Sequence, residues 1–436
     1  MHRVPLSRFI LLLLALAAAP GAVPARAAPP AAPRAAESAA AIVKRCRSSD
    51  FARAQQCYAA ALDARLANGP AAALALLGGL AALDPAVRRD GHMYAHRIGI
   101  DALKSPADVG TVFASCTPEW QSGCYHGVIQ SYFLAMERAG GGVTAESVNA
   151  VCADGRNAGN SFLLFQCTHG LGHGLTMLHR HDLPQALRSC DLLTIEGERE
   201  MCHAGAFMEN IVNATHPHTA GPAEGGKGPA AAAGHGGHGA HGDHGSGSAA
   251  GAAAAAGAAA AAPAFRALDP ADLHYPCSVL DEKYLIACYT IQTSAMLHHT
   301  SQDVPRVAAE CGRAPEKARA TCFQSLGRDV STLAAGSTAE AIRLCALAEA
   351  GFRPVCHRGV VESLVNMNAD PAEGIPYCKA VPEPDSKRAC YTAVGLQALG
   401  LPNGEVRREQ ACRGAEAGMA EACLGRPAAD PATDPK

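Results

Sequence analysis

From Ser337 to Pro371 the chain alternates apolar and polar positions in two helical stretches. STAEAIRLC (337–345) places apolar residues at helical spacing behind Ser337 or Thr338 as N-cap. AEAGFRP supplies a turn, and VCHRGVVESLVNM (355–367) forms a second helix that Asn368-Ala369-Asp370-Pro371 ends. Alanine-rich, aromatic-poor content (5% aromatic) favours helices of this kind over a β-sandwich.

The cysteines show that the helical hairpin recurs. They fall into nine local pairs: Cys46 with Cys57, Cys116 with Cys124, Cys152 with Cys167, Cys190 with Cys202, Cys277 with Cys288, Cys311 with Cys322, Cys345 with Cys356, Cys378 with Cys390 and Cys412 with Cys423. In the last five pairs the second members, Cys288, Cys322, Cys356, Cys390 and Cys423, recur every 33 or 34 residues, the period of a helix–turn–helix repeat. The expected fold is therefore all-α, an α-solenoid stapled by a disulfide within each repeat. From Cys57 to Cys124 is 67 residues, twice the period, which predicts a repeat without cysteines whose second helix starts near Asp90, in GHMYAHRIGIDALK. Between Cys202 and Cys288 the gap is 86 residues, one period plus about fifty. The excess, 217–263, is rich in Gly, Ala and His without apolar periodicity and reads as a disordered insertion.

The ends of the chain set the compartment. Positive charge in MHRVPLSR, an apolar run from Phe9 to Ala19 and the small-x-small site Ala25-Arg26-Ala27 read as a signal peptide over 1–27. No cysteine follows it closely enough to take a lipid, and no later apolar run is long enough to span a bilayer. The expectation is a soluble periplasmic or secreted protein without a membrane span once the signal is removed. It would comprise a flexible stretch at 28–35, N-terminal His-rich repeats at 36–216, the insertion, C-terminal repeats at 264–425 and a disordered tail at 426–436. In such a compartment the even cysteine count becomes a disulfide count. Each bridge closes a loop of about a dozen residues, worth roughly 2.5–3 kcal/mol in the chain-entropy model.

Over about residues 36–425 the 34-residue period and the disulfide within each hairpin resemble tetratricopeptide-like repeats and the cysteine-rich Sel-like repeats of secreted bacterial proteins. The Trp, Leu-Gly and Tyr signature of tetratricopeptide repeats is missing, since Trp120 is the only tryptophan. The resemblance thus implies an architecture and carries no ligand with it.

Charge narrows the function. With 37 Lys+Arg against 40 Asp+Glu there is no basic field for nucleic acid or an anionic membrane. No Cys-x-x-Cys-His haem site, Gly-x-Ser-x-Gly elbow, Walker loop or His-Glu-x-x-His helix occurs, and paired cysteines offer no thiolate.

Histidine carries the remaining chemistry. It clusters at the start of second helices in the N-terminal half: His92-Met-Tyr-Ala-His96, Cys124-Tyr-His126-Gly127, Cys167-Thr-His169-Gly-Leu-Gly-His173 and Cys202-His203 with Glu209 and Asn210 further on. A His-x₃-His pair sets two imidazoles on one helix face, able to hold a transition-metal ion. Stacked repeats project equivalent positions from one surface, so His92, His96, His126, His169, His173 and His203 are expected to form a ridge. Because neighbouring helices pack about 8–10 Å apart, two repeats are expected to share an ion and four are not. The favoured set is His126, His169, His173 and His203, with Glu209 or Asn210 as further ligand or outer partner. Copper, zinc, iron and nickel all suit imidazole. Loose binding by His235, His238, His241 and His244, with His216 and His218, is expected of the insertion.

Two functions fit this pattern. One is an exported metal-binding repeat protein for storage, delivery or metal-dependent redox chemistry. The other is a periplasmic scaffold whose concave surface, mainly in the His-poor C-terminal repeats, binds a protein or peptide partner while the histidines serve packing, as His357 and Glu362 do in either case.

Overall fold

A computed structural model describes residues 37–153, 160–215 and 265–425, and every regular element among them is helical. The expected signal peptide, the segment 28–35, the insertion 217–263 with its histidines and the tail 426–436 lie outside the described residues.

Most repeats pair a short first helix with a longer second one; Pro70–Ala81 and Gly91–Ala102 are equal in length, and in the last repeat Gly404–Cys412 is longer than Ala420–Cys423. The second helices, in chain order, are α1 (Phe51–Leu66), α2 (Gly91–Ala102), α3 (Gly123–Arg138), α4 (Ser161–Leu178), α5 (Glu196–Thr215), α6 (Gln292–His299), α7 (Glu316–Leu333), α8 (Arg353–Asn368) and α9 (Pro384–Leu399). Local chemistry sets their ends. The side chains of Asp50 and Asn160 cap α1 and α4, and Ser337 caps the short helix Thr338–Cys345 by accepting from the Glu340 amide. At the other end of that repeat α8 stops at Ala369, whose backbone is left-handed (φ 51°), one residue before Asp370-Pro371.

Nine disulfides link the cysteines in the local pairs that their spacing predicts. Cys46 is bonded to Cys57, Cys116 to Cys124, Cys152 to Cys167, Cys190 to Cys202 and Cys277 to Cys288. In the C-terminal repeats Cys311 is bonded to Cys322, Cys345 to Cys356, Cys378 to Cys390 and Cys412 to Cys423. Cys322 and Cys390 lie in the second turns of α7 and α9, one turn later than the spacing suggested, and are fully buried there, each tied to the short helix that precedes its own second helix. No free cysteine occurs among the described residues. So many bridges belong to an oxidising, extracytoplasmic environment. No described helix is long and apolar enough to cross a membrane.

Second helices stack side by side: α2 on α3, α3 on α4, α4 on α5, then α6 on α7, α7 on α8 and α8 on α9. The stack runs on from α5 to α6 and to the short helix Leu285–Tyr289, so the two groups of repeats adjoin directly. Glycines set how close the helices come. A Cβ on Gly127 would lie inside 3.0 Å of the His96 carbonyl, and one on Gly99 would meet the Cys124 carbonyl. Gly172 and Gly205 form the same reciprocal pair between α4 and α5, and Gly327 and Gly359 between α7 and α8. These contacts bring backbone against backbone.

Candidate metal centre

The close crossings place five imidazoles from three consecutive helices in one cluster. His92 and His96 come from α2, His126 from α3, and His169 and His173 from α4. Ring centroids lie 4.5 Å apart for His92 and His96, 5.3 Å for His96 and His126, 5.1 Å for His96 and His173, 4.9 Å for His126 and His169, and 5.1 Å for His169 and His173. Two overlapping groups have ligand atoms within 4.8 Å of one another and can hold a metal ion: His92, His96 and His126, and His126, His169 and His173. The second group is wholly buried, whereas His92 in the first is half-buried. A small cavity of about 30 Å³, lined by His92, Met93, His96, His173, Glu209 and Val212, borders the cluster.

Outer residues decide which nitrogen of each ring faces inward. His92 Nδ1 donates to the Trp120 carbonyl at 2.8 Å, and His96 Nδ1 meets Gln130 Oε1 at 3.1 Å. Gln130 Nε2 donates to Glu209 Oε2 at 3.0 Å, and that same oxygen accepts from His173 Nδ1 at 2.9 Å. Because a carbonyl and a carboxylate only accept, the outward nitrogens carry the protons. His126 gives Nε2 to Gln166 Oε1 at 3.1 Å, leaving its Nδ1 buried without a hydrogen-bond partner. His169 bonds the backbone of Met201, and its Nδ1 is likewise buried without one.

This is the carboxylate- or carbonyl-supported imidazole of metal sites, in which the bonded nitrogen fixes the tautomer and the opposite one ligates. His92 Nε2 and His96 Nε2 face each other 3.1 Å apart. Two imidazoles on one tetrahedral ion with bonds of about 2.0–2.1 Å stand roughly 3.3 Å apart. Burial, and then the neighbouring imidazoles, hold the pKa values of His126 and His169 well below the usual range, which keeps both rings neutral, the form that can accept a metal ion. With Nε2 engaged by Gln166, His126 has one nitrogen to offer, so the two groups compete for it.

The structure redistributes the residues singled out from sequence. His92 and His96 join His126, His169 and His173, and each of the two ligand groups draws on two adjacent repeats, as expected, with His126 common to both. His203 stands apart: Nε2 pairs with Asp191 Oδ1 at 3.0 Å, and the ring meets Tyr284 edge-on. It follows its cysteine by one residue, whereas His126 and His169 follow theirs by two, and one residue turns a side chain about 100° around a helix. His357 has the same one-residue offset and bonds the Tyr377 hydroxyl through Nδ1 at 2.6 Å.

Glu209 lies within the cluster as an outer partner of His173, while Asn210 turns away and donates to the Ala267 carbonyl at 3.0 Å. Gln130 and Gln166 escaped the sequence reading. Their signal was positional: Gln130 lies four residues after His126 and Gln166 three before His169, each on its histidine's face. No protein-family model, curated protein or solved structure matches the chain.

Proposed function

We propose that the protein is an exported helical-repeat protein that binds a transition-metal ion through the histidine cluster of its N-terminal half. The observation that carries this reading is the directed outer ring. Trp120, Gln130, Gln166, Met201 and Glu209 each engage one nitrogen of a different imidazole, leaving the opposite nitrogens to the two overlapping groups that share His126. Histidines retained for packing alone would have no need of converging lone pairs, which repel one another in a dry interior.

An all-imidazole donor set suits copper, zinc, nickel or iron. When bound, such an ion supplies Lewis acidity or, for copper and iron, one-electron redox capacity. The chain's own part is to hold the rings neutral and oriented and to restrict the adjoining space to about 30 Å³, room for a water-sized ligand and too little for an organic substrate. Storage or delivery of the ion, or redox chemistry on a very small molecule, follows from that restriction.

The test is metal analysis of tag-free protein purified without chelators, alongside a deletion of 217–263 and the double variant His126→Ala/His169→Ala. Near-integer metal in the wild type and the deletion, lost in the double variant, is the expected result. Metal retained only with 217–263 present would overturn the cluster as the site, as would a wild type with no affinity tighter than about micromolar.

A further inference from the structure

The turn that leads into α3 reaches two distant parts of the molecule. Trp120, Gln121 and Ser122 all have left-handed backbone, with φ of 58°, 53° and 60°. Residues with a Cβ avoid this conformation because the side chain crowds the following carbonyl, and three in succession persist only where the surroundings hold them.

On one side, the amides of Trp120 and Gln121 donate to the carbonyls of Met367 and Asn366 at 2.8 and 3.0 Å. Those carbonyls belong to the last turn of α8, among the groups a helix leaves without internal partners. A turn from the N-terminal repeats therefore caps a helix of the C-terminal repeats. On the other side, the Trp120 carbonyl accepts from His92 Nδ1 at 2.8 Å. The indole rests on Gly91, next to His92, so closely that a Cβ there would lie inside 3.0 Å of the ring. Finally, the Ser122 carbonyl accepts from the amides of Tyr125 and His126, starting the helix that carries His126.

We propose that Trp120–Ser122 is a positioning strap: docked on the carboxyl end of α8, it sets the Trp120 carbonyl so that His92 keeps its proton on Nδ1 and turns Nε2 toward His96 and His126. The strap makes completion of the outer histidine group depend on contact between the two groups of repeats. By linkage the dependence runs both ways, so an ion on His92 strengthens the docking and slows hydrogen exchange at the Trp120 and Gln121 amides. The purpose of the strap rests on the metal-binding reading, but its effect on the His92 ring is measurable without metal.

The test uses the full chain with ¹⁵N-labelled histidine. In metal-free wild type, long-range ¹H–¹⁵N spectra should show His92 as the Nδ1–H tautomer. In Gln121→Pro, which removes one docking amide and cannot adopt a φ of 53°, His92 should shift toward the Nε2–H form. Zinc affinity from competition titration should fall roughly 10-fold in Gln121→Pro. It should fall no further when the substitution is added to His92→Ala. Should Gln121→Pro lose its helical circular dichroism, Gly91→Ala unseats the indole instead and is read the same way.

An Nε2–H tautomer in the wild type would overturn the strap without any variant. So would unchanged zinc affinity in Gln121→Pro, or an equal loss in the His92→Ala background, with the metal reading intact. A wild type that binds no zinc, copper, nickel or iron overturns the metal reading itself, and the strap's purpose with it.

Discussion

Glu209 and Gln130, 79 positions apart in the chain, are joined by a buried hydrogen bond of 3.0 Å. Through it the outer partners of His96 and His173 become one chain: His96 to Gln130, Gln130 to Glu209, Glu209 to His173. A carboxylate behind an imidazole raises its basicity and fixes its orientation. Glu209→Gln should therefore weaken metal binding by roughly 10- to 100-fold while leaving the far-ultraviolet circular dichroism unchanged. Competition titration against a chromophoric chelator measures it, and wild-type affinity in Glu209→Gln would show that the carboxylate has no part in ligation.

The glycine crossings are expected to matter to site and fold together. Gly127→Ala forces a Cβ against the His96 carbonyl and must part α2 from α3, so it should cost about 1–3 kcal/mol. Metal affinity should fall with it, since His96 and His126 move apart. Gly197→Ala, in the first turn of α5 with nothing within 4 Å, is the control and should be neutral or stabilising by up to about 1 kcal/mol. Urea unfolding of the two variants distinguishes them.

Trp120 is the only tryptophan, and its carbonyl is bonded to His92. Cupric ion taken up by the histidine cluster should quench its emission in a saturable, stoichiometric phase. His126→Ala/His169→Ala should abolish that phase and leave the slow collisional quenching shared by any protein. Emission that falls linearly in the wild type, with no break, would place bound copper elsewhere.

His357 predicts a pH effect on stability. Burial lowers its pKa from 6.5 to about 4. Between those values the unfolded chain binds a proton that the folded protein excludes. The contribution is therefore intact above pH 6.5 and is lost as pH falls toward 4, at about 1.4 kcal/mol per unit where the effect is fully developed. His357→Gln should flatten this part of the stability profile. Chemical denaturation at pH 7, 5.5 and 4.5 supplies the comparison, and parallel profiles for the two proteins would contradict it.

The bridges should act locally. Cys345 and Cys356 are fully buried and close a loop with a sequence separation of 11, so replacing both with Ala should cost about 2–4 kcal/mol. The histidine cluster, which lies in other repeats, should keep its metal affinity. A large loss of metal on removal of this one bridge would mean that the C-terminal repeats govern the cluster more strongly than the strap contacts require.

The repeat, its helix ends and its disulfides were legible in the linear chain because the interactions that create them are short-ranged. Ser337 caps a helix within three residues, Pro371 follows one stopped just before it, and the bridges span separations of 8 to 15. The regular recurrence of Cys322, Cys356 and Cys390 marks the same point of three successive hairpins for that reason. Free energies of that kind depend on neighbours along the chain, and spacing records them. Histidine enrichment in the N-terminal half was equally plain.

Which histidines meet was decided by rotation about helix axes and by distance between them. His203 differs from His169 by a single residue of offset from its cysteine, and that offset sends it to Asp191 and Tyr284. His92 and His96 reach His126 because Gly99 and Gly127 let two backbones touch. Glu209 arrives behind His173 from the next repeat, and the carbonyls of Asn366 and Met367 arrive at Trp120 from across the stack. Small angles and displacements accumulate from repeat to repeat, so contacts between distant helices depend on the sum of many local geometries, and only the assembled fold carries that sum.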